Sequence, residues 1–396
     1  MPYPQFSEVE ILPRDGYAGA LAARVQRPDL GGPAVAAVRA EGVFDVTAAF
    51  PTMRDLAEAA TPAAALRAAG GERLGSLAEI LANTPPDGRN LGKPWLLAPV
   101  DLQAIKAAGV TFATSMLERV IEERARGNPD SAQRIRAEMG RLVGHDLRAL
   151  KPGSAEAERL KAALIAEGAW SQYLEVGIGP DAEIFTKAQP MSAVGCGADA
   201  GFHAHSHWNN PEPEAVLIVA STGAIVGATL GNDVNLRDFE GRSALLLGKA
   251  KDQNASAALG PFLRFFNETF SLDDVRVMEI SLTIRGEDGF RLDGRSSMRE
   301  ISRDPADLAA QLIGPHHAYP DGAALYLGTM FAPVQDRDTK GLGFTHKVGD
   351  VTTVAADKLG SLVNRMRHAQ DCARWEFGTA ALMRHLAARG VLRAGN

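Results

Sequence analysis

Cysteine is nearly missing from this chain: Cys196 and Cys372 are the two thiols in 396 residues. That is too few for a disulfide framework, and their separation has no metal-ligand spacing. Reduced, buried thiols in a cytoplasmic protein are the expectation. No run of eighteen apolar residues occurs, and the first thirty residues hold no apolar core behind a basic start. Neither a membrane span nor a signal peptide is therefore expected. A basic run is missing too, and the net charge is −6, so the electrostatic footprint of a nucleic-acid binder is lacking. There is no internal repeat and no low-complexity segment.

What is present is ordinary in bulk, with 45% hydrophobic and 23% charged residues, as in a globular protein. The length exceeds the usual single domain and predicts two. Short β-like runs at 19–25 and 34–39 alternate with alanine-rich helical patterns at 53–60, 62–69 and 76–83. They predict a small N-terminal α+β domain over 1–93. A stretch dense in Pro, Gly and Asn from Pro85 to Pro94 reads as a linker. The second domain, 94–396, is expected to open with an extended run at 96–100 and a helix starting at Asp101. Residues 115–170 read as helical, interrupted at 127–129 and 151–153. From Phe185 short apolar runs separated by breakers predict a β-rich body. A last helix is expected from about Trp375 to Arg389, ended by Gly390.

The most informative residues are Glu212 and Glu214, which enter the apolar run Ala215–Ala220. Two apart on a strand, they share one face. Held side by side, one must be protonated or a cation must neutralise both. The turn at Ser221-Thr222-Gly223 and a second apolar run would return Asp233 to the pair. Three carboxylates at one point make a hard-oxygen site suited to Mg²⁺ or Mn²⁺. An acid pair alone reads equally as a solvated strand edge; the third acid tips the balance.

With Arg237 and Asp238 following Asp233, and Lys251 ten residues before Pro261, the chain resembles the fumarylacetoacetate hydrolase superfamily. That family has a Glu-x-Glu pair, a later Asn-Asp-x-x-x-Arg-Asp segment and a lysine before a Gly-Pro. Ile184–Lys187 resembles its Phe-x-Lys, Gly328-Thr329 its pocket-closing Gly-Thr, and Lys347–Asp350 with Leu359–Asn364 its closing strands. The resemblance spans about 95–390. It implies a mixed β-roll in an α+β chain, a helical lid at about 115–170, a homodimer or homotetramer, and a small-molecule 2-oxo acid substrate chelated by the metal. It also implies metal ligands Glu212, Glu214 and Asp233, a catalytic Lys251, and Gly328, Thr329, Arg237 and Lys187 on the substrate side.

One departure bears on the reaction. The family's hydrolytic members carry a His-x-x-Glu whose histidine activates water; here Ser115 stands at that position and Glu118 is kept. Serine is no base near neutral pH, which disfavours C–C hydrolysis of acylpyruvates or diketo sugar acids. The chain resembles instead the branch dehydrating 2-keto-3-deoxy-pentonates to 2,5-dioxopentanoate, with Lys251 or Glu118 as base and Glu118 as acid. Hydrolysis, decarboxylation of a 2-oxo diacid, and a non-catalytic binding role are the alternatives. A lysine facing a divalent cation should have a lowered pKa, while Glu122 and Glu123 read as helix-surface acids. His203, His205 and His207 alternate like a ligand set but lack a glutamate at protease spacing, and His316-His317 has no specific assignment.

Overall fold

The computed structural model describes residues 3, 5–126, 128, 131–132, 134–135, 150–166, 168, 170–331, 333, 335–338 and 343–392. The strands are β1 (Ala20–Arg27), β2 (Gly32–Arg39), β3 (Gly42–Asp45), β4 (Glu72–Gly75), β5 (Trp95–Leu97), β6 (Ala104–Gly109), β7 (Glu183–Ala188), β8 (Asp199–Phe202) and β9 (Asn209–Asn210). They continue with β10 (Pro213–Val219), β11 (Ile225–Asp233), β12 (Asn235–Leu236), β13 (Ala257–Phe265), β14 (Glu279–Arg285), β15 (Arg291–Ser297), β16 (Ala323–Tyr326), β17 (Val351–Ala356) and β18 (Gly360–His368).

An 11-stranded sheet runs β4-β3-β2-β1-β13-β11-β10-β16-β6-β7, with β5 added beside β1. A 5-stranded sheet, β15-β14-β17-β18-β8, lies against it, and β12 pairs with β9 alone. Most pairs are antiparallel, but β16–β6 and β18–β8 are parallel, so this is a mixed α+β architecture. Because β1 pairs with β13, the strands of residues 1–93 extend the large sheet.

The central strands are apolar on both faces because both are covered. Along β10, Ala215, Leu217 and Val219 join Ile280, Leu282 and Val354 in the core between the sheets. Val216 and Ile218 turn the other way, against Met53, Leu56 and Leu66. By contrast β14 alternates buried and exposed positions, the pattern of a sheet with one wet face.

The helical segments at 53–57, 62–68 and 77–82 fall within the expected patterns, and capping boxes start the first and third at Thr52 and Ser76. Asp101 starts no helix. The chain continues as β6, and the Asp101 carboxylate accepts the N–H groups of Met53 (2.6 Å) and Arg54 (3.2 Å). It caps a helix nearly fifty residues earlier, a job that local sequence does not announce. Helices Ala113–Arg124, Ala155–Ala166 and Gln172–Ile178 fall in or beside the expected helical region; its part at 136–149 lies outside the described residues. The last helix begins at Thr379 rather than Trp375, after Gly378 at its N-cap. Leu382 and Leu386 bury against Met191, and Gly390 takes a positive φ of 66° past its end. Among the described residues no helix is long and apolar enough to cross a membrane. Both cysteines are free and buried.

Helix Ala113–Arg124 lies over the carboxylate end of β10–β11. Met116, Val120 and Ile121 pack with Tyr173, Leu174, Ile178 and Trp208 in a separate apolar cluster. That packing directs the polar face of the helix at the cavity described next.

Candidate active site

Strand β10 pairs with β11 in register, Glu214 opposite Gly231 and Pro213 opposite Asn232. Gly223, at φ 87°, makes the turn between them, a conformation that favours glycine. The Asp233 N–H then donates to the Glu212 carbonyl at 3.0 Å, which locks the third acid beside the first. Glu212, Glu214 and Asp233 are all buried, with carboxylate oxygens within 4.8 Å of one another. Local sequence sufficed to place them.

Cations come from three other elements. Lys251 ends the short helix Leu247–Lys251, and its Nζ donates to Glu212 Oε2 (2.6 Å) and Asp233 Oδ2 (2.9 Å). Lys187, on β7, reaches Asp233 Oδ1 at 2.8 Å and donates to the carbonyls of Val234 (3.0 Å) and Lys251 (2.7 Å). It is fully buried and ties the segment carrying Asp233 to the one carrying Lys251, without lining the cavity. Arg119, from the overlying helix, donates Nη2 to Glu212 Oε1 at 2.6 Å. Lys249 is exposed.

The electrostatics follow. Burial, with Asp233 and Glu212 close by, pushes the Glu214 carboxyl well above its ordinary range. For Asp233 burial works the same way, but Lys187 and Lys251 prevail and hold it low. Burial also lowers Lys251, yet Asp233 and Glu212 outweigh it and the ammonium is raised. This is opposite to the expected fall, because the groups it touches are carboxylates. Lys187 is lowered, burial being the larger cause.

The cavity wall holds Ser115, Glu118, Arg119, Glu122, Glu183, Phe185 and Asn210 beside the three acids. Arg237, Glu240, Lys251, Gly328, Thr329 and Phe331 complete most of it. Seven acids line it against three cations, so the wall carries an excess of acidic groups that suits a divalent cation. Gly328, at φ 85°, points its N–H at Glu214 Oε2 (2.6 Å). A Cβ there would run into Thr111 Oγ1. Thr329 is buried in the wall and accepts the Phe331 N–H at 3.1 Å. Ser115 donates to the Phe112 carbonyl at 3.0 Å.

Arg237 faces helix Ala113–Arg124 rather than the three acids. Its Nε is 2.6 Å from Glu122 Oε1 and its Nη2 is 3.0 Å from Glu118 Oε2, and it stacks over Trp208 at 4.3 Å. Glu122 is therefore no surface acid: it is buried between Arg237 and Arg119, which hold its pKa low against burial. Glu123 accepts from Ser171 and Gln172.

Arg119, Glu183 and Glu240 were not singled out in the sequence. Burial, with Glu122 and Glu212 nearby, pushes Glu240 up to about 7 against the pull of Arg119. Glu183, opposite Gly109 across β6–β7, is raised chiefly by burial. The sequence signal for Glu183 was its place four residues before Lys187, at the start of a strand. The histidines stay outside the cavity wall. His203 Nδ1 accepts the His205 N–H at 3.1 Å, and Asp238 anchors the turn by accepting from Ser206 and His207, each at 2.8 Å. His316 and His317 are exposed.

No protein-family model matches the chain. It is 30% identical over 192 residues to a Haloferax volcanii protein named probable 2-keto-3-deoxyxylonate dehydratase, covering 48% of this chain and 62% of that one. It is 30% identical over 185 residues to the 2-dehydro-3-deoxy-D-arabinonate dehydratase of Saccharolobus solfataricus, covering 47% and 58%. The matches thus span less than two thirds of either relative. Among solved structures, a 2-keto-3-deoxy-D-arabinonate dehydratase complexed with magnesium and 2,5-dioxopentanoate superposes with a TM-score of 0.60 at 19% identity, over 88% of this chain and 99% of that one. A fumarylacetoacetate hydrolase from Exiguobacterium antarcticum gives 0.50 at 16%, over 88% and 99%. The chain therefore shares the fold of the 2-keto-3-deoxy-D-arabinonate dehydratase and fumarylacetoacetate hydrolase structures, and it is related in sequence to 2-keto-3-deoxy-pentonate dehydratases.

Proposed function

We propose that this chain is a Mg²⁺-dependent dehydratase converting a 2-keto-3-deoxy-pentonate to 2,5-dioxopentanoate. The observation that carries the reading is the buried cluster of Glu212, Glu214 and Asp233 facing a cavity, in a chain related to proteins named as such dehydratases. The cluster fits a hard divalent cation: its ligand atoms are oxygens, close together and crowded enough that Glu214 is raised. Such an ion, Mg²⁺ or Mn²⁺, would supply Lewis acidity to the carbonyl of a 2-oxo acid and so acidify C3.

The protein's own groups supply the proton traffic. Dehydration breaks a C3–H bond and the C4–O bond and releases water, leaving a C3–C4 double bond. Loss of a C5 proton and return of one to C3 gives a C4–C5 enol, and protonation at C4 yields the C5 aldehyde. Glu183 is the donor to the departing C4 hydroxyl, since burial keeps its carboxyl protonated beyond the usual range. The carboxylate left behind then accepts the C5 proton. Glu118, paired with Arg237, accepts the C3 proton. Lys251, raised by its two carboxylates, keeps its proton and steadies Glu212 and Asp233 rather than acting as a base. Thr329 offers hydroxyl and backbone groups to the substrate carboxylate. Ser115 supplies no base for attack by water, consistent with dehydration over hydrolysis.

The helices between 113 and 178 serve as the lid in this reading, 1–93 as the smaller domain and 94–396 as the catalytic one. The assembly is a homodimer or homotetramer. The test is to incubate purified protein and Mg²⁺ separately with 2-keto-3-deoxy-pentonates and acylpyruvates and identify the products. We expect 2,5-dioxopentanoate from the sugar acid; pyruvate from the acylpyruvates, with none of it, would make the chain a C–C hydrolase.

A further inference from the structure

We propose that Arg119 gates the metal site, holding Glu212 until a divalent cation takes that carboxylate and then offering the freed guanidinium nitrogen to the anionic group of the ligand. The proposal rests on the metal reading above. Both oxygens of Glu212 already carry a cation, Arg119 Nη2 on Oε1 and Lys251 Nζ on Oε2, each at 2.6 Å. A metal ion bound through Glu212 must therefore displace or push back one of them.

Lys251 is the poorer one to move. It is buried, it also holds Asp233 at 2.9 Å, and leaving would strip both acids at once. Arg119 is built differently. Its other terminal nitrogen, Nη1, is held by Glu122 at 2.7 Å and Glu240 at 2.8 Å. Releasing Glu212 thus leaves the guanidinium neutralised and anchored, which spares it the cost of an unpaired buried charge. The planar fork then faces the cavity with one free edge, the geometry that suits a carboxylate. An anionic 2-oxo acid entering a wall of seven acids and three cations needs such a partner besides the metal. Arg237 cannot supply it, because its nitrogens are committed to Glu118 and Glu122.

The experiment measures Mn²⁺ binding by electron paramagnetic resonance and oxalate binding to the Mg²⁺-loaded protein by calorimetry. The wild type is compared with Arg119→Gln and Arg119→Lys, folding being checked by circular dichroism. Arg119→Met, which keeps the packing of the stem, stands in if the Gln variant fails to fold. We expect Arg119→Gln to bind Mn²⁺ at least tenfold tighter, about 1.4 kcal/mol, and oxalate at least tenfold more weakly. Arg119→Lys, with the charge retained, should stay within about threefold of the wild type for Mn²⁺. A merely structural role would weaken metal binding, not tighten it. Equal or weaker Mn²⁺ binding by a folded Gln or Met variant overturns the gate. Unchanged oxalate binding overturns the hand-over to the ligand. A wild type that binds no Mn²⁺ removes the metal reading itself, and the gate with it.

Discussion

Replacing Lys251 with Met removes a buried ammonium that stands 2.6 Å from Glu212 and 2.9 Å from Asp233. At an effective dielectric constant near 20, two such contacts amount to about 12 kcal/mol of attraction. Desolvation of the ammonium, several kcal/mol for one ion, offsets much of that. Each carboxylate also keeps a second cation, Arg119 at 2.6 Å on Glu212 and Lys187 at 2.8 Å on Asp233. The net loss should therefore fall at the lower end of the range for breaking a buried pair, about 3 kcal/mol. Urea unfolding of Lys251→Met against the wild type, in chelator and again in saturating Mg²⁺, reads it directly. In chelator the full difference should appear. In Mg²⁺ it should shrink to about 1 kcal/mol, since the bound ion supplies the missing positive charge. Dehydratase kcat/KM should fall by about 10²-fold or more. An equal stability loss with and without Mg²⁺ would show that Lys251 does not share its carboxylates with a metal.

Glu183→Gln tests the proton donor. The raised pKa means that the native state holds more protons than the unfolded state between the ordinary carboxylate value and the raised one. Wild-type stability should therefore fall as pH climbs through that window. The Gln variant should lack this slope and be the more stable at neutral pH, with activity down by about 10²–10⁴-fold. Parallel pH–stability curves would count against the buried, protonated carboxyl. Gly328→Ala puts a Cβ at φ 85° against Thr111, which costs about 1–2 kcal/mol from the backbone conformation alone. It also shifts the N–H that holds Glu214, so metal affinity measured by calorimetry should drop about tenfold while the circular dichroism spectrum is kept.

The three acids could be read from the chain because they depend on local geometry. A period-two run, one tight turn and a second run return Asp233 to Glu212 without help from distant residues. Lys251 and Gly328-Thr329 were found from motif spacing, and the structure brings them to the same cavity. The N-terminal helices were legible for a similar reason, since their capping boxes lie within four consecutive residues. Asp101 was misread because its partners, the N–H groups of Met53 and Arg54, are far away in sequence. An acid before a helix-like stretch looks the same whichever helix it caps.

By itself, then, the sequence determined the strand pair, the carboxylate cluster and the kind of ion that suits it. Tertiary structure decided what neutralises that cluster and where protons can reside. Arg119, Glu122 and Glu240 meet only because helix Ala113–Arg124 packs its apolar face on Tyr173, Leu174 and Trp208, turning its charged face to the acids. Glu183 is an ordinary strand glutamate until burial in the cavity wall raises its pKa. Charge pairing and burial depend on distance in space, and the order of residues along a chain carries that distance only for near neighbours.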